Sequence, residues 1–230
     1  MRFALARIRT LRRSTCLSVT GHSPQRRTAV RPGTATSRSG RLTAKRIVEA
    51  ARELLMKRGY AQFSMRNVAA HAGLHLANVQ YYFPRRDDLV HALLLDTGER
   101  YRAAYARCLE GAPADPVERF KIILRWNLHD IASRPTRQFF VQLWALLMAL
   151  DGHSGRLLDE LYAIDIVQLG ECIAAMEPGL PAREVEQRAT ILAALIEGLM
   201  VVRGSRSTRE PAMARLIERA FAAGLRIARG

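Results

Sequence analysis

The chain has 230 residues, of which 36 are basic and 21 acidic, for a formal charge of +15 and a sequence pI near 11.0. That length can bury one full core or two modest ones, and that charge favours a polyanionic partner. No apolar run reaches bilayer length, and Cys16, Cys108 and Cys172 are scattered without a CxxC, which excludes membrane-spanning and disulfide-stapled classes and suits a reducing compartment.

The charge is unevenly placed. Residues 1–41 hold ten arginines and no acid, which leaves 26 basic and 21 acidic residues, or +5, for the remainder. With Pro24, Pro32, Gly33 and Gly40 among Ser, Thr and Arg, residues 1–40 read as a basic tail with too little apolar surface to offset the entropy of ordering. Beside the plain reading of a solvated tail with only non-specific affinity stand three others: an arm adding phosphate contacts, a translation-start artefact with the true start nearer Arg41, and a transit peptide. Arg12-Arg13 is followed by no apolar h-region, so an export signal is set aside.

The first predicted helix is RLTAKRIVEAARELLMKR, with Ile47, Val48, Ala51, Leu54 and Leu55 on one face and Gly59 as its stop. Ser64 is placed to cap a short second helix with Val68 and Ala69 inward. Ala72-Gly73-Leu74 is the turn, in which Gly73 can adopt positive φ without Cβ strain. Val79 and Phe83 anchor a third helix that Pro84 ends. Two short helices across a glycine-containing turn form a helix-turn-helix over 64–83, the unit that lays its second helix in a DNA major groove.

Beyond Pro84 the pattern predicts helix after helix: Asp87 to about Glu110, Pro116 to before Pro135, Thr136 to about Leu150, Ser154 to Met176, Pro181 to Gly204 and Thr208 to Ala228. No alternating strand pattern occurs. The fold class is therefore all-α: a three-helix DNA-binding domain over 41–101 and a larger helical domain over 102–230.

Ile47, Ala50-Ala51, Leu54, Gly59-Tyr60, Ser64, Val68-Ala69, Ala72-Gly73-Leu74, Tyr82-Phe83, Arg86 and Leu89 stand together in one register. In this the stretch resembles the DNA-binding domain of TetR/AcrR-family transcriptional regulators. His75 stands where the family usually has Ser or Thr, Ala77 for Gly, Asn78 for Thr and Gln80 for Tyr. By the resemblance these positions face DNA, so the departures bear on which operator is read. The same likeness assigns DNA contacts to Ser64, Arg66, His75, Leu76, Ala77, Asn78, Gln80, Tyr81, Tyr82 and Arg86. Among them Asn78, Gln80 and Arg66 have the chemistry to read bases, and Ser64, Tyr82 and Arg86 to hold phosphates.

The larger domain has two expected tasks. Thr190, Ala194 and Gly198 recur every four residues on one helix, and Ile217 and Phe221 lie on the stripe of the next; both stripes suit either the protomer core or close helix pairing. The resemblance implies that these two helices form the homodimer interface. Trp126, Phe140, Trp144, Met148 and Tyr162, with Asp165, gather large polarizable side chains around a few polar ones, as a small-molecule effector pocket does and as an ordinary core does. The helix beginning near Asp87 joins these parts and is the expected transmitter.

Enzyme motifs fare badly. No GxGxxG or GxxxxGK[ST] occurs, and Gly152-His153-Ser154-Gly155 has Arg156 where a nucleophile elbow needs glycine. His71 and His75 are four apart but straddle the predicted turn, so neither a metal nor another cofactor is expected. The sequence thus reads as a bacterial cytoplasmic, nucleoid-associated regulator: double-stranded DNA and an unidentified effector as partners, a homodimer, no membrane. The alternative of another class is a helical protein-interaction module whose helix-turn-helix does not read DNA.

Overall fold

The computed structural model describes residues 37–150, 154–202 and 211–230. The basic tail up to residue 36, Gly152-His153, and the 203–210 stretch between the last two predicted helices lie outside the described residues. Nine α-helices and no strand occur among the described residues: α1 (Arg38–Arg58), α2 (Met65–Ala72), α3 (Leu76–Tyr82), α4 (Arg86–Cys108), α5 (Pro116–Ile131), α6 (Arg134–Met148), α7 (Ser154–Met176), α8 (Ala182–Val202) and α9 (Pro211–Arg229).

The helix ends follow local chemistry. α1 begins inside the stretch that composition assigns to the tail, because Ser37 caps it: Ser37 Oγ accepts from the Gly40 amide at 3.0 Å. Asp115 caps α5 through the Val117 amide at 3.2 Å, with Pro116 at a first-turn position where no amide is needed. Pro135 does the same for α6.

The described residues divide into two compact units. The first holds residues 37–104 and the described part of 135–161. Its core is built from Ile47, Ala51, Leu54, Leu55, Val68, Val79, Phe83, Leu89 and Leu93, all buried. α6 therefore clusters with the head helices, although sequence patterning assigns it to the larger domain. The cause lies in α6 itself. Gln138 Nε2 donates to the Met56 carbonyl at 2.6 Å, satisfying an orphan acceptor at the end of α1. The Arg52 guanidinium lies 3.9 Å from the Phe139 ring centroid.

The second unit holds residues 105–134 and the described part of 162–230. Here α9 packs on α5 and α8. Met213, Ile217, Ala220 and Gly224 turn inward, and a Cβ at Gly224 would come within 2.8 Å of Leu124 Cδ2. Close approach of α9 to α5 thus depends on a residue without a side chain.

Candidate nucleic-acid interface

α2 and α3 are only eight and seven residues long, too short to be stable alone, so their order comes from what they pack on. Ser64 caps α2 by accepting from the Asn67 amide at 3.2 Å. Gly73 ends α2 at φ 63°, ψ 39°, the left-handed conformation, and donates to the Ala69 and Ala70 carbonyls. Arg46 Nη2 donates to the Ala72 carbonyl at 2.6 Å, tying the turn to α1. α1 is in turn held to α4 by charge. Arg100 bridges Asp96, at 2.6 Å, and Glu49, and Arg52 donates to Thr97 Oγ1 at 3.2 Å.

On this frame α3 sorts its residues by face. Val79 and Phe83 are fully buried, whereas Ala77, Asn78, Gln80 and Tyr81 are exposed. Leu76 and Tyr82 are half-buried, and the Tyr82 ring meets Tyr81 edge-on at 5.3 Å. His75 precedes the helix without a side-chain cap, the weakness its residue type predicts. Arg66 is exposed on α2. The Ser64 oxygen is already engaged in capping. Arg86, in the first turn of α4, is half-buried with its guanidinium 5.9 Å from the Phe63 ring centroid.

A second tether from α6 escaped sequence reasoning. Gln142 Oε1 accepts from the Tyr60 amide at 2.9 Å, just beyond Gly59. Gly59 sits at φ 76°, and a Cβ there would meet Gln142 Oε1 at 2.8 Å. Gln138 and Gln142, one turn apart, thus grip the end of α1 from both sides of its cap.

The expected effector residues do not gather in one unit. Phe140, Trp144 and Met148 belong to the first, and Trp126, Tyr162 and Asp165 to the second. Phe140 is buried against Tyr101 and Phe139, with ring centroids 5.9 and 5.4 Å away. Met148 is 69% exposed, so it lines no enclosed pocket in its unit, despite the apolar run it closes. In the second unit, Tyr105 Oη donates to Asn127 Oδ1 at 2.8 Å and its ring meets Trp126 edge-on at 5.3 Å.

Asp165, on α7, belongs to the same neighbourhood. Burial, then the Asp130 carboxylate, pushes its carboxyl up to about 6. Glu197, on α8, is pushed up to about 8 by burial and then by Asp165. The sequence does mark Glu197: it is the one acid in the run ATILAALIEGLMVV. Since its folded pKa lies above the ordinary 4.5, the folded state holds the extra proton between those values. Stability from this group is full below about 4.5 and is lost as pH rises toward about 8. The melting-temperature advantage of Glu197→Gln over the native chain should therefore grow from pH 5 to 8 and then level off. A pH-independent difference would show that Glu197 is not desolvated.

Of the expected dimer residues, Thr190, Ala194 and Gly198 are exposed, beside Ile191 and Val202, which are 54% and 78% exposed. Ile217 is buried within its own protomer, because the apolar stripe of α9 faces α5 and α8. Phe221 is half-buried with the Arg125 guanidinium 4.2 Å from its ring centroid. The α9 positions are thus occupied by the chain's own packing, and the α8 positions are open.

Comparison with known proteins agrees with this geometry. Residues 47–93 match the family of bacterial regulatory proteins known as tetR. An HTH-type transcriptional regulator in the dhlA 5′ region of Xanthobacter autotrophicus is 33% identical over 110 residues, 44% of this chain and 51% of that protein. The match thus spans about half the length of that relative. Among solved structures, a transcriptional regulator from Rhodococcus sp. Rha1 is 20% identical, with a TM-score of 0.62 over 80% of this chain and 95% of that one. A TetR-family member from Streptomyces coelicolor A3 is 22% identical, with a TM-score of 0.57 over 80% of this chain and 97% of that one. At such identities the likeness is one of fold. No helix among the described residues is long and apolar enough to cross a membrane. Residues 47–93, which hold the helix-turn-helix at 64–83, are similar to the tetR family of bacterial regulatory proteins, and the chain shares the fold of the solved regulators.

Proposed function

We propose that the chain is a DNA-binding transcriptional repressor that binds an inverted-repeat operator as a homodimer and is released by a small-molecule effector. The observation that carries this reading is the sorting of α3, which keeps Val79 and Phe83 for the core and leaves Asn78, Gln80 and Tyr81 exposed. Amides on an exposed helix face pair bidentately with adenine, and an exposed Arg66 with guanine. The two tethers from α6 support that helix as a transmitter alongside α4, since Phe140 and Trp144 lie on α6 between and beyond Gln138 and Gln142. An effector acts only by preferring a conformation in which the two heads no longer fit successive major grooves.

Selection of duplexes from a random pool tests the reading. It should return an inverted repeat with half-sites about 34 Å apart, bound less tightly as salt rises. Recovery without any sequence preference would favour the protein-interaction alternative. Gly198→Leu is the companion experiment. Among the described residues a Cβ at Gly198 meets nothing within 4 Å, so the position has room in its own protomer and the substitution is aimed at a second copy. Overpacking of about 1–3 kcal/mol at a two-fold contact should weaken the dimer and operator binding together. If Gly198→Leu stays dimeric at native concentrations, the α8 face is not the interface.

A further inference from the structure

The turn that joins α1 to α2 has no core of its own. Tyr60–Gln62 form a single 3-10 turn in which no residue is buried, and Tyr60 is 42% exposed. Within it, the Gln62 and Phe63 amides donate to the Gly59 and Tyr60 carbonyls at 3.3 and 3.0 Å. The Tyr60 amide is taken from outside, by Gln142 Oε1 of α6 at 2.9 Å. Gly59 keeps that approach open, because a Cβ there would lie 2.8 Å from the same oxygen. On its other side the turn holds α2. Asn67 Nδ2 donates to the Gln62 carbonyl at 2.8 Å, and the Asn67 amide donates to Ser64 Oγ at 3.2 Å. Arg66, exposed, is the residue before Asn67.

A segment with few buried contacts takes its pose from the polar bonds that hold it. Gln138, one turn earlier on α6, bonds to Met56 in α1, and α1 has a core face in Ile47, Ala51, Leu54 and Leu55 that fixes it anyway. α3 is likewise fixed by the fully buried Val79 and Phe83. The 3-10 turn has no such anchor, and α2 hangs from it. We infer that Gln142 is a positioning residue for operator reading: by holding the Tyr60 amide it sets the pose of α2, and with it the aim of Arg66. The hydrogen bonds run from α6 through Tyr60, Gln62 and Asn67 to the neighbour of Arg66 without passing through α4 or α3, and all lie in one compact unit. A shift of α6 thus reaches the first helix of the helix-turn-helix directly. The inference rests on the DNA-reading role proposed above and adds to it a residue outside the helix-turn-helix that governs one of its base contacts.

Two substitutions test it in the full-length protein. Gln142→Leu keeps the bulk and removes the acceptor; Gln142→Glu keeps an acceptor oxygen for the Tyr60 amide. The first measurement is amide hydrogen exchange by NMR without DNA. Gln142→Leu should speed exchange at Tyr60 and in the first turn of α2 about five- to tenfold, leave the Phe83 amide of α3 within about twofold of native, and Gln142→Glu should restore the native rates. The second is the scan of single-base operator variants. Gln142→Leu should relax preference about three- to tenfold at the base pair that Arg66→Ala affects and leave the pair that Gln80→Ala affects as in the native chain, with Gln142→Glu again native-like. A merely structural role would loosen both base positions together and speed exchange in α3 as well. That result, unchanged exchange at Tyr60 in Gln142→Leu, or a Gln142→Glu variant that behaves like Gln142→Leu would each overturn the inference. The exchange measurement contains no DNA, so its failure is distinct from a failure of operator selection.

Discussion

Phe83→Ala should unfold the head and abolish operator binding. Phe83 is fully buried at the end of α3, and its amide donates to the Val79 carbonyl at 2.8 Å. Truncating a buried phenylalanine costs about 3–5 kcal/mol, a large share of the roughly 5–15 kcal/mol that holds a domain together. A seven-residue helix has little stability of its own to absorb that loss. Tyr81→Ala is the control. Tyr81 is 52% exposed on the same helix, so its truncation should change stability by no more than about 0.5 kcal/mol. Urea titration followed by far-ultraviolet circular dichroism measures both. Equal effects of the two substitutions would mean that α3 is docked by another face.

The second large effect is on base preference. Arg66→Ala or Gln80→Ala should each relax selection at one symmetric pair of operator positions, by about 1–3 kcal/mol per lost bidentate contact. Arg86→Ala should instead weaken every sequence alike. Arg86 is half-buried with its guanidinium 5.9 Å from the Phe63 ring centroid, a packed position suited to a phosphate but not to following base edges. A scan of all single-base operator variants against the three proteins separates these outcomes. If Arg86→Ala alters the order of preferred bases while the other two leave it unchanged, reading and positioning roles have been exchanged.

Much of the head was legible because its signals are local. Gly59, Ser64, Gly73 and Pro84 act on their own turns, and the inward residues follow helical spacing. Ser37 was equally local, yet the surrounding arginines and glycines read as tail, and its cap at Gly40 went unseen. The grip of α6 on α1 was not legible. Gln138 and Met56 are 82 residues apart, and an amide side chain does not announce its partner. Periodicity showed that Ile217 lies on a buried stripe but not whether a second copy or its own α5 and α8 buries it. The effector residues fared similarly. Aromatic composition drew Met148 and Trp126 into one group, whereas contact places them in different units.

The division of α3 between buried and exposed faces also bears on how such a protein changes over evolutionary time. The side chains of Ala77, Asn78 and Gln80 take no part in the buried core of the head. Substitutions there are close to free in stability, within about 0.5 kcal/mol, while on the proposed function each resets the operator sequence the helix can match. A duplicated gene is thus able to acquire a new genomic address through a few steps, none of which passes through a misfolded intermediate. Val79 and Phe83 allow no such drift. The exposed positions and the buried anchors lie on opposite sides of one short helix and its C-cap, and selection is able to act on one without disturbing the other.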